Sequence, residues 1–396
     1  MTKGAQRVQV ALSLSPLEDW MREAKLDFSL MLIAITIICL GLVMVASASV
    51  SIAERNYGDS LYFFYRQLAY VSVGLVLAIV VIRVPLVVWE QNGHFLFLFS
   101  LVLLALVLIP GIGHVVNGSS RWISLGFANL QVSELGKLCG IFYLSGYLMR
   151  HGNQLRSPDF TESILGFVKP LGAIMLAIVL MLMEPDFGAS VVLLSVTMGM
   201  MFLGGARLSQ FAFLLMIAVV GLTLLAVMSP YRLLRITTFL NPWADPFKTG
   251  FQLTQALIAI GSGDFFGLGL GNSIQKLFYL PEAHTDFLFS VWAEEFGLAG
   301  AIGLIGLFSL LLWKAFAIGA CALKAGLGFA GYTAYGIGLW IGMQAFVNMG
   351  VNMGLLPTKG LTLPLMSYGG SSMIVICMAI GVLIRADHET RMATGV

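Results

Sequence analysis

Long apolar runs, almost free of charge, alternate along this chain with short polar stretches. About 20 such residues make an α-helix long enough to cross a bilayer core of about 30 Å. The pattern predicts ten spans, at 28–49, 67–82, 94–112, 134–149, 170–183, 188–204, 208–228, 296–316, 329–351 and 371–384. Turn residues separate them, as in Glu184-Pro185-Asp186 and Gly204-Gly205-Ala206-Arg207. The predicted fold class is therefore all-α: a polytopic membrane protein with ten transmembrane helices and a large loop between spans seven and eight. The expected organisation is an N-terminal tail at 1–27, a membrane domain at 28–384 containing the loop at 229–295, and a C-terminal tail at 385–396.

The basic residues orient this bundle. The N-terminal tail, the loops after spans two, four, six and eight, and the C-terminal tail carry Lys3, Arg7, Arg22, Lys25, Arg83, Arg150, Arg156, Lys169, Arg207, Lys314, Lys324, Arg385 and Arg391. The opposite short loops carry only Arg55, Arg66, Arg121 and Lys359. Lys and Arg are retained on the cytoplasmic side, so both termini are expected there. The loop at 229–295 is then extracytoplasmic. Residues 1–27 are too long and polar for the n-region of a cleaved signal peptide, so span one reads as a retained anchor.

Composition narrows the classes further. The chain of 396 residues holds 22 Lys and Arg and 20 Asp and Glu, with 58% hydrophobic residues and a mean hydropathy of +0.91. A soluble globule needs a charged exterior that this chain cannot supply. Intrinsic disorder and a basic nucleic-acid-binding face are excluded by the same scarcity. Cys39, Cys139, Cys321 and Cys377 stand singly, without metal or redox spacing, and read as small core residues. The five histidines show no ligand spacing, so no cofactor is required, although a divalent cation such as Mg2+ could assist.

The loop at 229–295 differs in texture. Residues 251–261 have helical periodicity but are too short to span, which suits a helix covering a cavity. Gly261, Gly263, Gly267, Gly269 and Gly271 loosely imitate a nucleotide loop. No Gly-Lys-Ser/Thr follows them and no βαβ context surrounds them, so nucleotide binding is rejected.

Few charges remain for chemistry. Asp286 stands where the loop re-enters the membrane, where desolvation makes a carboxylate a better proton acceptor. The alternative is that Thr285 or Asp286 caps the next helix. Glu294-Glu295 form a second acidic pair. Glu134 and Lys137 are three apart, hence on one helix face, and pair either structurally or as part of a substrate site. Arg121, Lys276 and Lys359, with Arg232 and Arg235, place cations on the face that carries Asp286. They suit a phosphate held beside a proton acceptor, or they neutralise carboxylates and lipid headgroups. Three classes survive: a membrane enzyme acting on a lipid-linked anion, a transporter or flippase, and a structural organiser.

A set of motifs in order carries a resemblance over nearly the whole chain. They are NGSSRWI at 117–123, QVSELGK at 131–137, EPDFG at 184–188, NPW at 241–243, GNSIQK at 271–276, LPEAHTDF at 280–287, LPTKGLTLP at 356–364 and SYGGSS at 367–372. Together they resemble the SEDS family of bacterial envelope proteins, and its cell-division branch more than its elongation branch. Glu184 departs from a common Gln, and Met366 from a common Ile. The resemblance implies a peptidoglycan glycosyltransferase that polymerises lipid II on the outer face of the bacterial cytoplasmic membrane, enriched at the division septum. It also implies a class B penicillin-binding transpeptidase and other divisome membrane proteins as partners. Carried over by position, Asp286 matches the essential aspartate and would act as general base. Arg121, Lys276, Lys359, Glu134, Lys137, His284 and Ser367 become substrate-binding candidates. Translocation of lipid II, or a structural role in the divisome, is the alternative.

Overall fold

A computed structural model describes residues 27–111, 113–116, 119–124, 129–212, 215–216, 220–221, 239–248, 250–357 and 360–395. The first three helices are α1 (Phe28–Tyr57), α2 (Tyr62–Arg83) and α3 (Leu86–Val107). Asp27 caps α1 by accepting from the backbone N–H groups of Ser29 and Leu30. Gly58 closes α1 in the left-handed region at φ 68, where a side chain would be strained. Next come α4 (Val132–Leu155), α5 (Phe160–Met183) and α6 (Phe187–Leu203). After the loop stand α7 (Phe251–Ser262), α8 (Leu288–Lys324), α9 (Gly328–Asn352) and α10 (Gly370–Thr394).

By length and apolar composition, six of these can cross a membrane: α1, α2, α3, α5 from Thr161 onward, α8 and α10. At 17 residues, α6 is apolar but shorter. The 24 residues of α4 and 25 of α9 carry polar and glycine positions that are buried inside the bundle. The two helices pack on each other and on α6, with α10 against α9 and α2. Large apolar side chains such as Val76, Phe95, Leu176 and Ile302 remain exposed on the outer helices, as expected of lipid-facing surface. The expected span at 208–228 falls largely outside the described residues.

Several boundaries differ from the expectation. Apolar windows underestimate helices whose polar ends continue the backbone ladder, so α1 runs to Tyr57 and α5 begins at Phe160 with Pro170 inside it. The segment expected as a C-terminal tail continues α10 to Thr394. There Arg391 bridges Asp387 at 2.7 Å and Asp27 at 3.2 Å, and Lys314 meets Asp27 at 2.9 Å. The all-α reading also needs a local correction. Gly113–Val116 (β1), Ser119–Ser124 (β2) and Asn129–Gln131 (β3) form a small antiparallel sheet that leads directly into α4.

The short helix expected at 251–261 is α7. The largest departure is α8, which begins at Leu288 rather than 296 and breaks at Gly297, where φ is 66 and ψ is −164. That region of φ/ψ is open essentially only to glycine. The freed backbone groups find partners in the Gly-rich run. Leu268 and Gly269 donate N–H to the carbonyls of Glu294 and Glu295 at 3.0 Å each, while Leu298 and Ala299 donate to Asp264 and Phe265 at 2.9 and 3.1 Å. A side chain at Gly263 or Gly267 would collide with the α8 backbone. Of the glycines that imitate a nucleotide loop, Gly263 and Gly267 are thus there for close approach between two backbones, while Gly269 and Gly271 adopt the left-handed region at φ 94 and 83.

Candidate active site

The segment before α8 folds on itself. Leu280 N–H donates to Gln275 O at 2.9 Å, and Thr285 and Phe287 N–H donate to Glu282 O at 3.2 and 3.3 Å. The helix-cap reading fails here. Phe287 occupies the cap position of α8 without a side-chain bond. The Thr285 hydroxyl turns back to the Glu282 carboxylate at 2.8 Å. Asp286 therefore spends nothing on capping.

What is anchored is its backbone. The Asp286 carbonyl accepts from Asn348 Nδ2 at 2.9 Å and Asn352 Nδ2 at 3.0 Å, both on α9. Its carboxylate makes no ion pair among the described residues. A Cβ at Gly360 would lie 3.0 Å from Asp286 Oδ2, so the chain after Lys359 runs directly past the carboxylate. Burial pushes the Asp286 carboxyl up to about 7; the nearby Glu282 charge adds to the rise and Arg121 opposes it. A carboxylate poised there is matched to proton transfer near neutral pH.

Arg121 comes from β2. Its Nε donates to the Glu184 carbonyl at 3.3 Å and its Nη2 to the Pro185 carbonyl, with Nη1 4.0 Å from Asp186 Oδ1. Asp186 is itself held by the Ser133 hydroxyl at 2.7 Å and the Gln131 amide at 3.0 Å. Beside it, the Glu184 carboxyl is buried with neither oxygen hydrogen-bonded. Burial pushes it up to about 8; Asp186 adds to the rise and Arg121 opposes it. At neutral pH Glu184 is thus held in its acid form.

His284 packs between Phe63 and Tyr368, with ring centroids 4.5 and 5.6 Å away, and its carbonyl accepts from Tyr368 N–H at 3.0 Å. Burial lowers its basicity, against the pull of Glu282. The Ser367 hydroxyl accepts from Leu363 N–H at 3.0 Å, and its carbonyl accepts from Gln67 Nε2 at 3.1 Å. Its polar atoms are therefore engaged in a turn.

Glu134 and Lys137 meet as their spacing predicts, at 2.7 Å. Lys137 also donates to Gln344 Oε1 at 2.8 Å, and Ser372 donates to Glu134 Oε2 at 3.3 Å. Lys276 stands apart. Its ammonium is buried against Glu295 Oε1 and Ser47 Oγ, each at 2.8 Å. It borders a groove of about 480 Å3 between α1 and the 270–277 loop. Glu294 is engaged nearby by Ile274 N–H at 3.0 Å and the Ser273 hydroxyl. Lys359, Arg232 and Arg235 lie outside the described residues. No group of three or more His, Cys, Asp or Glu able to hold a metal ion is found among the described residues.

Sequence reasoning missed the polar stripe of α9: Gln344, Asn348 and Asn352. Three amides four residues apart share one helix face, and in an otherwise apolar span that spacing was the available signal.

The arrangement defines a multi-pass α-helical membrane protein with a half-buried carboxylate at the head of a broken helix. A family model described as cell cycle protein, covering FtsW, RodA and SpoVE, matches residues 27–392. The probable peptidoglycan glycosyltransferase FtsW of Thioalkalivibrio sulfidiphilus is 56% identical over 366 residues, covering 92% of this chain and 90% of its own. That of Coxiella burnetii is 51% identical over 364 residues, covering 92% and 96%. Among solved structures, a chain of a peptidoglycan synthase complex that coordinates polymerization and crosslinking superposes with a TM-score of 0.75 at 28% identity, covering 92% and 98%. The rod shape determining protein RodA of Thermus thermophilus gives 0.67 at 29%, covering 92% and 97%. This chain belongs to the FtsW/RodA/SpoVE family, the SEDS proteins.

Proposed function

We propose that the protein is a peptidoglycan glycosyltransferase that polymerises lipid II for septal wall synthesis, with Asp286 as general base. The observation that carries this reading is the Asp286 carboxylate, free of ion pairs among the described residues at the head of α8, with its backbone carbonyl held by α9; burial raises it to about 7. Asp286 takes the proton of a sugar 4-hydroxyl as that oxygen bonds the anomeric carbon of the lipid-linked glycan. The bond from that carbon to the diphosphate breaks, and undecaprenyl diphosphate leaves with the electron pair. A single displacement of this kind inverts the anomeric centre.

Arg121, whose charge opposes the rise at Asp286, is a candidate for stabilising the diphosphate, with its guanidinium oriented by the Glu184 and Pro185 carbonyls. Lys359 joins it by motif and by its place beside Gly360. Lys276 has the motif but also a buried partner, which supports a scaffolding role. The Glu134–Lys137 pair is closed by Gln344 and Ser372, a poor fit to an open charged path for lipid II translocation. Ten spans with both termini cytoplasmic would put Asp286 outside, where the disaccharide is. A class B penicillin-binding transpeptidase is the expected partner, in line with the similar chain in the synthase complex.

The test is polymerisation of lipid II by the purified protein with its transpeptidase. Wild type should make glycan chains and Asp286→Asn none; chains of equal yield from both would sink the assignment. If neither polymerises while lipid II still crosses vesicles, the translocation reading takes its place.

A further inference from the structure

The inference concerns how the loop bearing Asp286 is held, and it rests on the glycosyltransferase reading above. A general base must keep its position to within a fraction of an ångström, and side chains on loops hold position only if the backbone beneath them is fixed. The Asp286 carbonyl is the fixed point here. It takes two hydrogen bonds, one for each lone pair, and neither comes from a sequence neighbour.

Both donors are α9 side chains spaced four apart, hence stacked on one face. Asn352 has its full complement of bonds. Its amide hydrogens reach Asp286 O at 3.0 Å and Asn348 O at 2.8 Å, and its oxygen accepts from Ser290 N–H at 3.2 Å and Ser290 Oγ at 2.7 Å. It therefore ties the residue before α8 and the first turn of α8 to one point. Asn348 divides its two hydrogens between Asp286 O at 2.9 Å and Leu361 O at 2.5 Å. Leu361 lies two residues beyond Lys359, in the strand of chain that passes the carboxylate at Gly360. One amide thus bridges the two chain segments that converge on Asp286. Both asparagines are buried, at 2% and 0% exposed, so water cannot substitute for them as donors.

We infer that Asn348 and Asn352 are positioning residues for Asp286, fixing its backbone carbonyl against α9 and, through Asn348, against the chain that follows Lys359. Ordinary packing does not require this arrangement. A carbonyl ahead of a helix could be satisfied by its own loop, as the Glu282 carbonyl is. Gln344 extends the same face by donating to Thr362 O at 3.1 Å, so the 361–362 chain is held at two successive carbonyls.

The experiment uses the full chain with its transpeptidase partner and lipid II. Asn348→Ala and Asn352→Ala remove the donors; Asn352→Leu removes them while keeping the branching and heavy-atom count of the side chain. Each variant is expected to lose about tenfold or more in kcat, with KM for lipid II within about twofold. Freed from its anchor, the loop relaxes toward water. The acid limb of the pH–rate profile should then move down by about one pH unit, toward the ordinary carboxylate range. That limb does not depend on how much protein is folded, so it separates positioning from loss of folded protein. Unchanged kcat, or a lower rate with the acid limb in its wild-type place, would overturn the inference. Asp286→Asn serves as the control: if it retains activity, the general-base reading fails; if it is dead while the asparagine variants behave as wild type, only the positioning inference fails.

Discussion

Two carboxylates on the approach to the break in α8 meet opposite fates. Glu295 is fully buried and neutralised, with Lys276 and Ser47 each 2.8 Å from its Oε1. Asp286 is half-buried, has no ion pair among the described residues, and is held through its backbone instead of its side chain. The first arrangement cancels charge and fixes structure. The second leaves a carboxylate poised for a proton. The lesson is that in a nearly uncharged chain, the group worth suspecting is the one whose backbone is anchored while its side chain is left without a partner.

The contrast can be broken most forcefully at its reactive member. Asp286→Asn should lower glycan polymerisation by at least about 100-fold, the scale of a lost general base. Its thermal midpoint should hold or rise, because a desolvated carboxyl is removed. A large fall in midpoint would mean that Asp286 is structural like Glu295.

The reverse holds for the paired member. Glu295→Ala leaves the Lys276 ammonium buried without its partner and should cost about 3–5 kcal/mol of stability. Replacing both with apolar residues of similar volume should recover most of it. Thermal melts of the single and double variants measure this directly; additive losses would mean that the two do not act as a pair.

Gly297→Ala tests the break that separates Glu295 from the lower part of α8. A side chain there is strained by φ 66 and collides with Gly267 and Phe265, so a loss of about 1–3 kcal/mol or more is expected.

Glu184 sharpens the contrast from a third position, as a buried carboxyl with no partner that stays protonated. Its value lies well above that of the unfolded chain, so the folded state binds the extra proton between about 4.5 and about 8. Stability contributed by that proton is complete below this window and is lost as pH rises through it. Glu184→Gln should flatten this part of the stability–pH curve while leaving polymerisation near wild type. An unchanged slope would show that Glu184 ionises as an ordinary surface carboxylate does.

Much of this was legible in the sequence. Apolar runs mark most of the described helices, the three-residue spacing of Glu134 and Lys137 places their pair on one face, and the helical periodicity of 251–261 marks α7 as a helix too short to span. The position of Asp286 ahead of an apolar run marks it as a candidate base, with a helix cap as the alternative. What the sequence concealed was long-range pairing. The sequence groups Lys276 with Arg121 because both are expected in outer loops, whereas in space Lys276 faces Glu295 and Ser47. The Gly-rich run could not announce its role, since its partners are carbonyls and amides of α8 about 30 residues away. Helix boundaries slipped for a different reason: hydropathy ends where charge begins, but the hydrogen-bond ladder does not.

The central claim is that Asp286 works as a base because its carboxyl is held near neutrality. The direct measurement is the pH dependence of kcat/KM for lipid II polymerisation in wild type and Asp286→Asn. The account predicts a wild-type rate that climbs with pH to an inflection near 7 and then levels, and a variant that is flat and at least about 100-fold slower. A variant that keeps both the inflection and comparable turnover would contradict it.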